Sequence, residues 1–216
     1  MMSCMRLLLV LLFLFLKMIP IESHQSYHQF YKQLISHFSI SKASQIFIVD
    51  VEKQQLIGMK NDVVFISYPI STSRFGVGAK KYSYKTPPGL HQIAHKVGDG
   101  EPLGMIFKSK KAVGRLYDPI EDQNKTDIIT TRILHLKGLE KGVNLGGNVD
   151  SYQRAIYIHG THQESRIGTP ASRGCIRMLN RDVLALYENV KEGDWVYITR
   201  SMVSDVFRKE ISLNDK

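Results

Sequence analysis

The chain has 216 residues, of which 43% are hydrophobic, and its formal net charge is +9 at pH 7. This length fits one domain with a short appendage, and the apolar content is too high for a disordered chain. The positive residues are spread along the sequence without an arginine-rich tract or a zinc-ligand spacing, so the charge favours an anionic polymer such as cell wall or lipid head groups over nucleic acid.

The N-terminus has the pattern of an export signal. Met1–Arg6 is short and basic, and Leu7–Leu16 has no polar side chain. A membrane-spanning helix needs about 20 apolar residues, so this shorter run is better suited to a secretory signal. We expect a cleaved signal over residues 1–23 and a periplasmic protein that is at most peripheral to the membrane. An uncleaved anchor is the alternative.

Beyond the signal, the hydrophobic period predicts one helix and then strands. Aromatic and leucine residues at helical spacing predict an amphipathic helix over residues 26–38, within an N-terminal segment of residues 24–43. Short β-branched and apolar runs then predict strands over residues 46–51, 56–59, 63–66, 90–97, 128–136 and 155–159. Residues 98–128 are rich in Gly, Lys and Asp and are predicted to be a long irregular excursion.

The C-terminal third predicts a second helix and a last strand. Asn180 is placed to cap a helix whose apolar face carries Val183, Leu186 and Val190, and Trp195–Thr199 follows as a strand. The whole pattern predicts a mainly β sandwich or barrel over residues 44–200, with one or two short helices and the N-terminal helix. Residues 201–216 are predicted to be a polar tail.

The cysteine count draws attention to one thiol. Cys4 and Cys175 are the only cysteines, and Cys4 would be removed with the signal. The mature protein would then carry a single thiol into an oxidising compartment, where it cannot form an internal disulfide. Such a thiol is a candidate nucleophile or could form an intermolecular disulfide. The alternative is a buried, unreactive cysteine.

The surroundings of Cys175 favour the nucleophile. A strand ends in His159, and a polar loop leads from it to Cys175. A thiol attacks as the thiolate, which a nearby base and cations favour, so His159, Arg173 and Arg177 are candidates for these roles. Gly174 lets a substrate approach the backbone closely, and the amides of Gly174 and Cys175 are candidates to hold an oxyanion.

These motifs resemble the signature of a known family. His159-Gly-Thr161, followed by Ser172-Arg-Gly-Cys-Ile-Arg177, is similar to the motif of the L,D-transpeptidase catalytic domain of the YkuD type, including the separation of 16 positions between histidine and cysteine. The resemblance extends over roughly residues 44–200, because further segments recur in the same order: Thr86–Gly89, Gly104–Phe107, Thr131–Leu134 and Gly146–Asp150.

The resemblance implies a YkuD-type fold and a cysteine acyltransferase that acts on peptidoglycan stem peptides. Cys175 would be acylated by the stem, with His159 as the base. An amine acceptor would then give a 3–3 cross-link or a protein anchored to the wall, whereas water would give an L,D-carboxypeptidase or amidase. Neither a metal nor an organic cofactor is implied.

The resemblance also suggests which further residues surround the reacting atoms. Gly160, Ser172, Gly174 and Arg173 are expected to shape the site. Two more residues, Arg177 and His162, are expected to contact the substrate. For Arg177 the alternative is a salt bridge at the base of the helix, and for His162 it is a solvated position in the loop.

One residue departs from the family pattern. Arg173 stands where most members have histidine. Arginine cannot act as a base, but it can supply a fixed positive charge beside a thiolate. A weakly active or non-catalytic peptidoglycan-binding module would be favoured if Arg173 blocked the cleft, although the presence of both His159 and Cys175 argues against that alternative.

Overall fold

The computed structural model describes residues 21–122 and 125–202. Most of the predicted export signal and most of the predicted tail lie outside the described residues. Within these ranges the chain forms two α-helices and ten strands, in the order α1 (Ile21–His37), β1 (Ile46–Asp50), β2 (Gln55–Lys60), β3 (Val63–Ser71), β4 (Gly89–Val97), β5 (Met105–Lys108), β6 (Lys111–Leu116), β7 (Ile129–Gly138), β8 (Tyr157–Thr161), β9 (Ile176–Met178), α2 (Asn180–Asn189) and β10 (Trp195–Thr199).

The strands form one sheet that closes on itself. Its order is β4-β10-β1-β2-β3-β9-β8-β7, and β7 pairs back with β4, so these strands make a ring to which the β5–β6 hairpin is attached through β7. The pairs β1–β10 and β8–β9 are parallel, and the other pairs are antiparallel. The prediction of a mainly β domain is confirmed, and the sheet has the closed form of a barrel.

Strand β1 is apolar on both faces because each face is covered. Phe47 and Val49 belong to the main core, which also contains the buried side of α2. Ile46 and Ile48 point the other way, into a second cluster formed with α1. A strand that is buried on both sides appears in sequence as a continuous apolar run rather than an alternating one.

Helix α1 packs against the outside of the sheet. Phe30, Tyr31 and Leu34 recur at helical spacing and are buried there. The Tyr31 hydroxyl donates to the carbonyl of Lys42 at 3.1 Å, which ties the helix to the segment before β1. The predicted helix is confirmed, although it begins earlier, at Ile21, so the expected cleavage position at residue 23 lies in its first turn. None of the helices within residues 21–122 and 125–202 has the length and apolarity to cross a membrane.

Helix α2 buries Val183 and Leu186, as its sequence predicts. The prediction that Asn180 caps this helix is wrong, because Asn180 is its first residue and Leu179 occupies the capping position without a side-chain hydrogen bond. The Asn180 side chain instead accepts from the hydroxyls of Thr130 and Thr131 on β7, each at 2.6 Å. Its amide also donates to the Thr161 carbonyl of β8 at 3.0 Å. Because these strand partners are close, the Asn180 side chain bonds to them and not to the amides of its own helix.

The prediction of an irregular excursion over residues 98–128 is also wrong in part, because this segment contains the β5–β6 hairpin. The turn residues Ser109 and Lys110 have φ values of 51° and 65°. Two consecutive positive values are typical of the tight hairpin turn that asparagine and glycine usually form. The sequence lacks that usual turn signal. Because β6 is largely exposed, it also lacks a buried apolar face that would predict a strand.

The packing of α1 predicts that it contributes to the stability of the domain. Leu34→Ala should lower the free energy of unfolding by about 2–5 kcal/mol, because it removes a buried side chain and leaves a cavity. Ser36→Ala on the exposed side of the same helix is the matched control and should change it by about 0.5 kcal/mol or less. Chemical denaturation of both variants checks this, and equally small effects would contradict the packing described here.

Candidate active site

Parallel pairing of β8 and β9 brings the two candidate catalytic residues together. His159 lies opposite Arg177 in the register of these strands, and Cys175 directly precedes β9. Ile158 and Ile176 point into the main core. Since side chains alternate along a strand, His159, Arg177 and Cys175 lie on the opposite face, with His159 and Cys175 as diagonal neighbours.

The imidazole of His159 is oriented by its own strand. Its Nδ1 lies 2.7 Å from the Gly160 carbonyl oxygen. A carbonyl only accepts, so Nδ1 carries the hydrogen and Nε2 keeps the lone pair that can take a proton. Burial lowers the pKa of His159 below its ordinary value of 6.5, which keeps the ring neutral. His159 is therefore held in the tautomer that a general base requires.

Gly160 fits this position because a larger residue would collide with neighbouring strands. A Cβ at Gly160 would lie 2.6 Å from the Thr130 carbonyl oxygen and 2.5 Å from the Asn180 side-chain oxygen. The first of these is backbone and cannot move aside cheaply. Gly160 thus shapes the site by allowing β7, β8 and α2 to pack closely beside His159.

The Cys175 thiol is half-buried and protonated at rest. Its Sγ donates to the Ala155 carbonyl at 3.4 Å. Burial raises the pKa of Cys175 to about 12, and the Asp127 carboxylate adds to this, while the Tyr157 amide and the cations Arg177 and Arg154 act in the other direction. Burial outweighs the cations, so the resting pair is a neutral thiol and a neutral imidazole.

The turn before Cys175 is fixed by Ser172. The Ser172 hydroxyl donates to the Cys175 carbonyl at 2.6 Å and accepts from the Gly174 amide at 3.2 Å. Gly174 has a φ of +123°, a conformation that glycine adopts without strain. The Gly174 amide is engaged at rest, so it would have to exchange partners before it could hold an oxyanion.

Cys175 opens into a cleft of about 240 Å³. The cleft is lined by Lys81, Tyr82, Tyr84, Gln153, Arg154, Ile156, Arg173 and Cys175. Arg173 is exposed, and its guanidinium carbon lies 4.3 Å from the centroid of the Tyr84 ring. Arg173 therefore stacks on the wall of the cleft and leaves room beside Cys175.

Arg154 is a site residue that sequence reasoning missed. Its guanidinium donates to the carbonyls of Ala79 at 2.8 Å and Lys85 at 2.6 Å. It also acts on the Cys175 thiol through its charge. No sequence motif predicts this role for Arg154. Its position depends on hydrogen bonds to the loop of Ala79 and Lys85, which is distant in sequence.

Arg177 and His162 are not among the residues that line the cleft. Arg177 is buried and paired with the Asp127 carboxylate, and it donates to the Gln163 side chain at 3.0 Å. The ion pair is thus made with the loop before β7 rather than at the base of α2. The ring centroid of His162 lies 5.4 Å from that of Tyr117. These contacts favour positioning roles, and direct contact with a substrate stays a prediction for both.

The described residues contain no group of three or more His, Cys, Asp or Glu side chains placed to hold a metal ion.

Comparison with known proteins identifies the domain. A family model described as the L,D-transpeptidase catalytic domain, YkuD, matches residues 44–198. The chain belongs to the YkuD family. The match contains both His159 and Cys175 and covers every strand of the closed sheet except the last residue of β10.

Individual YkuD relatives match shorter stretches. The YkuD protein of Bacillus licheniformis is 60% identical over 61 residues, which is 26% of this chain and 37% of the relative. The YkuD protein of Bacillus subtilis is 49% identical over 62 residues, or 26% of this chain and 38% of the relative. The matched stretch thus spans well under half the length of either relative. Among solved structures, L,D-transpeptidase 3 from Mycobacterium tuberculosis has a TM-score of 0.46 at 16% identity, covering 72% of this chain and 61% of that chain.

The neutral state of this YkuD-type site predicts a slow, strongly pH-dependent reaction of Cys175 with iodoacetamide. With a pKa of about 12, the alkylation rate should rise about tenfold per pH unit from about pH 7 to 11. Arg154→Gln removes a positive charge that favours the thiolate, so it should raise the pKa and slow alkylation about three- to tenfold at fixed pH. Lys137→Gln, an exposed change on β7, is the control and should leave the profile unchanged. A rate that levels off at about pH 9, as for an ordinary thiol, would contradict this account.

Proposed function

We propose that this protein is an L,D-transpeptidase that acts on peptidoglycan stem peptides through a Cys175 acyl-enzyme. One observation carries the proposal. A YkuD-family domain presents a half-buried thiol at an open cleft and holds a neutral imidazole, with its Nε2 lone pair available, on the same face of adjacent strands. Cysteine acyl transfer requires a thiol and an oriented base close to it, and the diagonal placement of Cys175 and His159 supports this chemistry.

In the first half-reaction the thiol is acylated. His159 Nε2 takes the Cys175 proton while Sγ forms a bond to the carbonyl carbon of the third stem residue. The carbonyl oxygen becomes an oxyanion, for which the Cys175 amide, and the Gly174 amide after it leaves Ser172, are the candidate donors. The intermediate collapses by breaking the C–N bond to D-alanine, and His159 returns its proton to the departing amine.

In the second half-reaction the thioester is resolved. An amine acceptor gives its proton to His159 as its nitrogen attacks the thioester carbonyl, and the Cys175 thiolate leaves and is reprotonated. An amine from a second stem gives a 3–3 cross-link, and an amine from a protein anchors that protein to the wall. With water as acceptor the same residues would act as an L,D-carboxypeptidase. The acceptor decides between these products and leaves the acylation step unchanged.

The proposal also includes export. The apolar run Leu7–Leu16 after a basic start supports a periplasmic location, where the stem peptides of the wall are found. N-terminal sequencing of the protein from the periplasm of the producing bacterium should give a mature start near His24. Recovery of the protein from the cytoplasm with Met1 retained would refute export, and membrane-bound protein with Met1 retained would support the uncleaved anchor.

Intact-mass spectrometry tests the acyl-enzyme. The wild-type protein should form one covalent adduct with a stem tetrapeptide and one with a carbapenem, whose strained lactam carbonyl is open to thiol attack. Cys175→Ala should form neither. His159→Gln should slow acylation by about 10²–10⁴-fold because it removes the base. His37→Gln, an exposed histidine on α1, is the matched control and should react like the wild type.

Product analysis completes this test. Incubation with stem tetrapeptides should give a cross-linked dimer that retains one D-alanine. A tripeptide as the sole product would identify water as the acceptor. Adducts that persist in Cys175→Ala would contradict the assignment of the nucleophile.

A further inference from the structure

The cleft beside Cys175 carries charge of one sign. Its charged lining residues are Lys81, Arg154 and Arg173, and no aspartate or glutamate contributes to the lining. The remaining lining side chains are aromatic, amide or aliphatic. A concave surface lined by one sign of charge concentrates ions of the opposite sign, so this cleft attracts anions.

The three cations are held by neutral groups. Lys81 Nζ lies 5.2 Å from the centroid of the Tyr82 ring, and the Arg173 guanidinium stacks on Tyr84. Arg154 donates to backbone carbonyls. Within residues 21–122 and 125–202, none of the three forms an ion pair with a carboxylate.

Two arginines outside the cleft are paired with carboxylates. Arg115 is paired with the buried carboxylate of Asp122, and Arg177 is paired with Asp127. The fold therefore supplies counter-ions for arginines at those sites but leaves the cations of the cleft without them. Mutual repulsion among uncompensated cations is relieved when an anion binds between them.

We propose that the cleft is a carboxylate-binding subsite, and that the protein takes donor stem peptides with free carboxylates in preference to the same peptides with carboxamides. This inference rests on the proposed function for the identity of the peptide. The Arg173 guanidinium offers a planar pair of donors that matches a carboxylate, while Arg154, whose terminal nitrogens donate to backbone carbonyls, adds positive charge. Tyr82 and Tyr84 add aromatic surface to the cleft. Arg154 is the cleft cation whose charge also acts on the Cys175 thiol.

The distinction between carboxylate and carboxamide follows from charge. A carboxamide keeps one acceptor oxygen but loses the negative charge, and its NH₂ group faces cations that can only donate. A hydrogen bond to a charged group is stronger than one between neutral groups. The free peptide should therefore bind about tenfold more tightly, and its advantage should shrink as salt screens the exposed charges of Lys81 and Arg173.

The experiment compares two synthetic tetrapeptides that differ only in free or amidated carboxylates. Calorimetry with Cys175→Ala gives the dissociation constants without turnover, and intact-mass kinetics with the wild-type thiol gives the acylation rates. Lys81→Gln combined with Arg173→Gln, both at exposed positions, should reduce the preference to about twofold or less, since two of the three cations are gone. Lys137→Gln, outside the cleft, should keep the full preference.

Two results would overturn the inference: equal affinity of Cys175→Ala for the two peptides, or a preference that survives in the double variant. The outcomes separate this inference from the proposed function. Acylation of wild type by both peptides at equal rates, with equal affinities, would leave the function standing and remove the subsite. Preferential binding of the free peptide without any acylation of Cys175 would support the subsite and contradict the proposed function.

Discussion

The parallel pairing of β8 with β9 is the contact on which the candidate site depends. Ile158 and Ile176 fix the two strands from the core side, and His159 and Arg177 are thereby set opposite each other on the other face. Strand β9 has only three residues, so it relies on the strands on either side of it, β8 and β3. Burial of apolar side chains in the core therefore sets the positions of the polar groups that would do chemistry.

Asn180 extends this constraint to the helix. Its side chain links the start of α2 to β7 and β8 through Thr130, Thr131 and Thr161. Gly160 permits the same close approach from the other side of the contact. A change in this packing would alter the position of His159 without touching a catalytic atom, which is a common way for distant substitutions to reduce activity.

Electrostatic effects then determine the resting protonation states of Cys175 and His159. Burial raises the pKa of the Cys175 thiol and lowers that of His159, and the cations Arg154 and Arg177 only partly offset the first effect. A neutral thiol is a weak nucleophile and a poor target for oxidants, since both reactions proceed through the thiolate. A base that acts on this thiol would therefore have to do so during the attack itself. The proposed mechanism places proton transfer to Nε2 in that step for this reason.

The sequence allowed prediction of the elements whose patterns are local. The helical spacing in α1 and α2 and the apolar runs of β1, β4, β7, β8 and β10 predicted elements that the structure contains. The motif predicted that His159 and Cys175 share a site, and the pairing of β8 with β9 brings the two residues close to each other. The features that were missed depend on contacts between distant segments. Strand β9 has only three residues, which is too short to show a hydrophobic period. Arg154 is positioned by hydrogen bonds to Ala79 and Lys85. Asn180 bonds to residues of the strands and not to its own helix.

The central claim is that, at rest, His159 is a neutral ring with its hydrogen on Nδ1 and the Cys175 thiol is protonated. Nitrogen NMR of the protein labelled in its histidines tests this most directly, with the His159 signals assigned by their loss in His159→Gln. The account predicts that between about pH 6.5 and 8 Nδ1 carries a hydrogen and Nε2 shows the shift of an unprotonated nitrogen, with no thiolate absorbance in the same range. A ring protonated on both nitrogens together with a thiolate would mean that the site waits as an ion pair, and it would contradict the account.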